Sequence, residues 1–212
     1  MNSRSTRFLA VFDVDSTLIQ DEVIELLAEV AGKRDEVTAI TERAMAGELD
    51  FASSLIERVS TLRGLPASVL QETVSKVTPT TGLFELISAI HTRGGKIAAV
   101  SGGFSQILEP LAATWGLDFH RANLLEVAGG VLTGQVTGQI VDRSVKAQML
   151  ARWASECELE LTRTIAVGDG ANDLEMLAAA GLGIAFNAKP IVRQKAPLAL
   201  DGSLARIIPL LP

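Results

Sequence analysis

Tyrosine is absent from the 212-residue chain, cysteine occurs once and histidine twice. The single thiol, Cys157, excludes an internal disulfide. With only His91 and His120 beside it, the chain also lacks the ligands of a structural zinc site. Cys157 has no evident partner and reads as a helix residue, not a nucleophile. Aromatic side chains are scarce, seven Phe and two Trp, so aliphatic residues must fill most of the core. Positive charge is nowhere concentrated, and the net charge is −6. That balance argues against nucleic acid as a partner, because displacing its counterions takes a basic surface. No apolar run approaches the roughly 18 residues that mark a bilayer-spanning helix, so no membrane is expected either. The run that follows Arg4 and Arg7 extends only from Phe8 to Phe12, too short for a signal peptide. A reducing cytoplasm fits these absences.

What is present is an alternating pattern. Phe8–Phe12 is an unbroken apolar run ending in Asp13-Val14-Asp15-Ser16-Thr17. Ile97–Val100 ends in Ser101-Gly102-Gly103, Ile165–Val167 in Gly168-Asp169-Gly170, and Leu182–Phe186 in Asn187. Short apolar runs of this kind suit strands buried on both faces. Helical patterns over about 82–93, 105–115, 144–157 and 172–180 separate the later runs. Strands alternating with helices predict an α/β fold with a Rossmann-like parallel sheet. Ligands of such sheets sit at the carboxyl ends of the strands, where the polar residues cluster here.

Residues 18 to 78 break the alternation. Val23, Leu26, Leu27 and Val30 form one apolar stripe at helical spacing, and Phe51, Leu55, Val59 and Leu62 form another. Pro66 and Pro79 punctuate the end of this stretch. It reads as a small helical cap (18–78) inserted after the first strand of a core made of 1–17 and 79–212. Its origin at the strand end where the site belongs favours a lid over helices that merely pack on the sheet. Residues 122–141, with Gly129, Gly130, Gly134 and Gly138, read as one or two β-hairpins with glycine turns.

The chemistry-bearing residues fall at the strand ends. Asp13 is placed to attack phosphorus. Asp15, two residues on, is placed to protonate a leaving alcohol and then to activate water. A calcium loop is the rival reading, but Leu18 stands where such a loop needs glycine. Asp169 and Asp173 bring two more acids to the same edge. Asp13 and Asp169 suit the inner shell of Mg²⁺, with Asp173 and Asn172 supporting from outside. Ser101 and the backbone at Gly102 suit a phosphate oxygen at a helix start. Lys146, opening the helix after the hairpin region, suits phosphate charge. Gly94-Gly95-Lys96 is not a nucleotide loop, since Ile90 occupies the first glycine position and Ile97 follows the lysine.

Taken in order, Asp13-Val14-Asp15-Ser16-Thr17, Ser101-Gly102, Lys146 and Gly168-Asp169-Gly170-Ala171-Asn172-Asp173 resemble the four motifs of the haloacid dehalogenase superfamily. The resemblance runs over nearly the whole chain. It implies an aspartyl-phosphate on Asp13, acid–base work by Asp15, and Mg²⁺ held by Asp13, Asp169 and the backbone carbonyl of Asp15. It also implies that Ser101 and Lys146 hold the phosphoryl group.

Within that superfamily the chain is most similar to the phosphoserine phosphatase family. The marks are Asp15–Leu18 followed by Glu22, the run from Phe51 to Val59, and Gly183–Pro190. The similarity implies L-phosphoserine as substrate, with Glu22 meeting its ammonium and Arg58 its carboxylate. An anion and a fork-shaped cation are what those two groups require. Met45 and Phe51 would close an apolar wall. Another small phosphate (phosphothreonine, phosphohomoserine or a sugar phosphate) is the alternative within the same chemistry. A receiver that stores a phosphoryl group on aspartate is a second alternative, disfavoured by Asp15 and the lid. Many members carry an additional N-terminal regulatory domain, whereas this chain reaches its first strand by residue 8, so feedback through such a domain is not expected.

Overall fold

The computed structural model describes residues 5–45 and 48–212, with 44 and 45 as backbone only. A seven-stranded sheet forms the centre, ordered β4-β3-β2-β1-β5-β6-β7. Its strands are β1 (Leu9–Phe12), β2 (Lys96–Phe104), β3 (Phe119–Ala128), β4 (Val131–Thr137), β5 (Thr164–Gly168), β6 (Leu182–Phe186) and β7 (Leu198–Leu200). All neighbours pair in parallel except β3 and β4. The chain leaves β1 toward β2 and returns to its other side with β5. That reversal makes the carboxyl end of β1 the switch point where α/β sheets bind ligands.

Alternation along β1 divides the core. Ala10 and Phe12 face one buried cluster, Leu9 and Val11 the other. Helices α5 (Leu83–Thr92) and α6 (Ser105–Trp115) cover the first face through Leu86, Ile90, Ile107 and Leu111. Helix α7 (Arg143–Glu156) and α8 (Leu174–Ala179) cover the second through Leu150, Trp153, Met176 and Leu177. Gly183 lets β6 approach α8, since a Cβ there would collide with the Leu177 backbone.

Between β1 and α5 come four helices: α1 (Val23–Val30), α2 (Arg34–Met45), α3 (Phe51–Ser60) and α4 (Ser68–Lys76). They bury Leu27, Val37, Leu55 and Val59, and the turn after α3 buries Leu62, in a core continuous with the first sheet face. Asp50 starts α3 by accepting the Ser53 N–H at 2.7 Å. The two chain crossings lie side by side: Gln20 N–H donates to Thr78 O and Thr80 N–H to Leu18 O, both at 2.9 Å. A second attachment lies at the edge of β4. Gly64 N–H donates to Leu132 O at 2.9 Å, Leu132 N–H to Leu65 O at 2.8 Å, and Ala67 N–H to Gly130 O at 2.8 Å. The segment after α3 therefore covers an otherwise open sheet edge.

Two expectations hold and two need correction. Helix α1 opens at Val23, directly after Glu22, as the apolar stripe predicts; residues 14–18 before it form a wide turn with Asp15 extended and Ser16 at φ 55°. Residues 122–141 form one hairpin with a glycine turn at Gly129-Gly130, as expected, and its first strand joins the main sheet beside β2. The helix expected from 172 begins at Leu174, after a single 3₁₀ turn over Ala171–Asp173. Cys157 caps the end of α7 instead of lying within it, and burial pushes its thiol up. Helix α9 (Pro190–Lys195) and β7 complete the sheet edge beyond the pattern read from sequence. Among the described residues, no helix is long and apolar enough to cross a membrane.

Candidate active site

Asp13 immediately follows β1, where its N–H donates to Val167 O of β5 at 2.9 Å. The wide turn after it closes through Ile19 N–H to Val14 O at 3.0 Å and folds Asp15 back over the strand end. Gly103 gives Asp15 room: a Cβ there would lie 3.3 Å from Asp15 Oδ2 and 3.0 Å from Ser101 Oγ. Gly168 does the same for Asp173, whose carboxylate would be struck by any side chain at that position. Glycines at these two strand ends thus let Asp15 and Asp173 approach the backbone.

Lys146 is fully buried, with Nζ 2.6 Å from Asp13 Oδ1 and 2.7 Å from Asp173 Oδ1. Asp142 caps its helix by accepting the Val145 N–H at 2.9 Å. Asp173 uses its other oxygen to accept the Gly170 N–H at 3.0 Å. Carboxylate oxygens of Asp13, Asp169 and Asp173 lie within 4.8 Å of one another.

The charges are out of balance. Burial, then the Asp173 charge, raises Asp13 to about 8 against the pull of Lys146. Burial and Asp173 raise Asp169 to about 6. Burial, then Glu22 and Asp13, hold Asp15 well above the usual carboxylate range. Burial by itself would lower Lys146, but Asp13 and Asp173 outweigh it and keep the ammonium charged. One lysine does not offset these acids, so the cluster favours a further cation. All-oxygen donors suit a hard ion. One Asp15 oxygen and the Thr17 hydroxyl are also buried with no hydrogen-bond partner.

A cavity of about 760 Å³ opens above these acids and below α3. Asp13, Asp15, Asp169, Asn172 and Gly102 line its floor, and Glu22, Phe51 and Arg58 line its cap side. Glu22 stands at the start of α1 and accepts the Ser16 hydroxyl at 2.8 Å. Arg58 is half-buried, and its Nε donates to Ser54 O at 3.2 Å. Burial draws its guanidinium below its ordinary value, opposed by Glu22 and Asp15. Ser101, Lys146 and Asp173 lie behind the floor and do not line the cavity. The Met45 side chain lies outside the described residues.

Lys189, Ser54 and Arg143 are among the lining residues that had no role assigned from sequence. Lys189 precedes α9, and its N–H donates to Asp169 O at 3.2 Å. Ser54 lies one turn before Arg58 with its hydroxyl buried and unpartnered. Arg143 donates to Ala171 O at 3.4 Å, bracing the loop before Asn172. The Pro190 helix start was the available signal for Lys189. Nothing in one sequence separates Ser54 or Arg143 from ordinary surface residues.

Residues 10–178 match the family model described as haloacid dehalogenase-like hydrolase. The chain belongs to this family. It is similar to the phosphoserine phosphatase of Streptococcus thermophilus, 52% identical over 96% of this chain and 95% of that protein. It is likewise similar to the phosphoserine phosphatase of Mycobacterium tuberculosis, 53% identical over 92% of this chain. There it spans only 48% of the relative's length. Among solved structures, a phospho-aspartyl intermediate analogue of phosphoserine phosphatase superposes with a TM-score of 0.91. That structure is 40% identical, over 98% of this chain and all of its own (100%). A substrate-bound phosphoserine phosphatase complex superposes with a TM-score of 0.92 at 40% identity, over 99% and 100%.

Proposed function

We propose that this protein is a Mg²⁺-dependent phosphatase that hydrolyses L-phosphoserine to L-serine and phosphate through an aspartyl-phosphate on Asp13. The observation that carries this reading is one cavity bounded by Asp13 and Asp15 below and by Glu22 and Arg58 above. The names of its relatives point to the same substrate.

Asp13, Asp169 and the backbone carbonyl of Asp15 would hold Mg²⁺, with Asp173 steadied behind them by Lys146 and the Gly170 N–H. When bound, the ion offsets carboxylate charge and draws electron density from a phosphoryl oxygen. Lys146 holds Asp13 Oδ1, leaving the other carboxylate oxygen to attack phosphorus. As that bond forms, the bond from phosphorus to the serine oxygen breaks. Asp15, kept protonated by burial and its acidic neighbours, gives its proton to the departing alkoxide. The Asp15 carboxylate then takes a proton from water as that water attacks phosphorus, which frees Asp13 and releases phosphate. From behind the cavity floor, Ser101 would turn its hydroxyl and Lys146 would lend its positive charge, through Asp13, toward the phosphoryl group.

Substrate choice falls to the cap. Glu22 meets the ammonium and Arg58 the carboxylate, with the Ser54 hydroxyl beside Arg58 and Phe51 closing the wall. Residues 18–78 form the lid, hinged where its two crossings lie side by side, and exclude water from the phosphoenzyme. A cytoplasmic location accompanies this reading. The test is Mg²⁺-dependent phosphate release from L- and D-phosphoserine, phosphothreonine, phosphohomoserine, phosphoethanolamine and a sugar phosphate. L-Phosphoserine should exceed the others by at least tenfold in kcat/KM. Equal rates across the panel refute the substrate, and a phosphoaspartate that accumulates without turnover refutes the phosphatase.

A further inference from the structure

Strands β2 and β3 stay in register to Val100 opposite Arg121 and resume at Phe104 opposite Asn123. The bulge between these pairs leaves Ser101–Gly103 without regular backbone partners on β3. The Asn123 side chain fills that gap. It is 2% exposed, and its Nδ2 donates to Gly102 O at 2.8 Å. Its Oδ1 accepts the Val141 N–H, also at 2.8 Å. Both ends of one buried amide are therefore used, each on a segment that carries a different part of the site.

The first segment is Gly102-Gly103. A peptide between two glycines has no Cβ to resist rotation, so its plane turns over at little cost. In the observed orientation the carbonyl of Gly102 is held by Asn123 in the interior. The N–H on the other side of the same peptide, that of Gly103, donates to Ser101 Oγ at 2.7 Å. A hydroxyl oxygen that accepts there keeps its own proton for an anionic oxygen. Turning the peptide over would remove that donor from Ser101 and aim a carbonyl dipole toward the phosphoryl position. The second segment is Val141, one residue before the cap of α7, the helix that delivers Lys146 to Asp13.

We propose that Asn123 is a positioning residue of the phosphate pocket. It locks the Gly102–Gly103 peptide in its anion-receiving orientation and ties that turn to the start of the Lys146 helix. The inference rests on the phosphatase reading, since it assigns the Ser101 turn to phosphate. It goes beyond that reading by placing the control of the turn on a residue that does not line the cavity.

The test uses Asn123→Ala, which removes both bonds, and Asn123→Asp, which keeps the size and the acceptor for Val141 but not the donor to Gly102. Inorganic phosphate is titrated calorimetrically into the full chain with saturating Mg²⁺, and Mg²⁺ binding and thermal unfolding are measured beside it. Losing control of one donor to an anion weakens phosphate binding by about 10–100-fold in both variants. KM for L-phosphoserine rises in parallel, while Mg²⁺ affinity stays within about threefold. A merely structural role lowers the melting temperature but leaves phosphate affinity of the folded protein unchanged, and that result overturns the proposal. If Asn123→Ala does not fold, Asn123→Asp decides alone. Wild-type protein that binds phosphate yet leaves L-phosphoserine intact refutes the substrate, not Asn123. Wild-type protein that binds no phosphate overturns both.

Discussion

Lys146 Nζ lies 2.6 Å from Asp13 Oδ1, and neither side chain is more than 7% exposed. Two charges removed from water stay together only while both are present, and deleting one partner of such a pair costs about 3–5 kcal/mol. Lys146→Met should therefore destabilise the protein by that order and abolish turnover, because Asp13 and Asp173 lose their shared cation. Urea unfolding and phosphate release check this. A variant that keeps wild-type stability would show that the acids do not depend on the lysine.

Asp13→Asn should disturb stability far less than removing the lysine, because Lys146 keeps Asp173 as its ion partner. It removes a carboxylate that burial and Asp173 already hold at about 8, so no favourable charge is lost without metal. Turnover should fall to background while the metal-free melting temperature stays level or rises. Substantial residual hydrolysis would count against a nucleophilic aspartate.

Much of this site was legible in sequence because its residues sit where strands stop. A buried strand that ends in Asp13, Ser101 or Asp169 announces a polar edge through the abrupt change in composition alone. Asn123 gave no such signal. It lies inside a half-exposed strand, and its importance comes from a bulge in the neighbouring strand that only the register reveals. Lys146 was placed near phosphate by position, but its complete burial between two acids is a tertiary fact. The wide turn over 14–18 escaped for a related reason, since its left-handed Ser16 is a residue type with no preference for that backbone conformation.

Arg58→Ala should separate the substrate's carboxylate from its phosphate. Charge-assisted hydrogen bonds contribute about 1.5–3 kcal/mol, so kcat/KM for L-phosphoserine should fall by roughly 10–100-fold. Phosphoethanolamine and an aryl phosphate lack the carboxylate and should change by less than about threefold. Equal losses on all three would show that Arg58 does not read that group.

Metal binding should strengthen with pH. Asp13 near 8 and Asp169 near 6 hold protons in the folded state that the unfolded chain releases near the ordinary 3.8. The folded state binds more protons in that window, so these groups lower metal-free stability as pH rises from about 4 toward 8. An ion that takes their carboxylates must displace those protons below the raised values and fewer above them. The upward shift in melting temperature caused by Mg²⁺ should therefore be larger at pH 8 than at pH 6. Thermal scans at both values, with and without Mg²⁺, measure it. A shift independent of pH would detach the ion from these acids.

Gly134 tests whether the hairpin holds the cap in place. It lies in β4 at φ 81°, and a Cβ there would fall 2.9 Å from Arg63 Cβ and 3.3 Å from Ser60 O. Valine adopts that backbone only under strain, and here it would also push the end of α3 off the hairpin. Helix α3 carries Phe51 and Arg58, and misplacing binding groups by about 1 Å can cost on the order of 100-fold. Gly134→Val should raise KM for L-phosphoserine at least about tenfold while inhibition by inorganic phosphate changes little, since the proposed phosphate site lies at the strand ends. Gly138 supplies the control: its φ is 77°, and nothing lies within 4 Å of the Cβ position. Gly138→Val imposes the same backbone strain without the collision, so it should lower stability and leave KM alone. If both valines raise KM equally, the contact between Gly134 and Arg63 does not set the position of the cap.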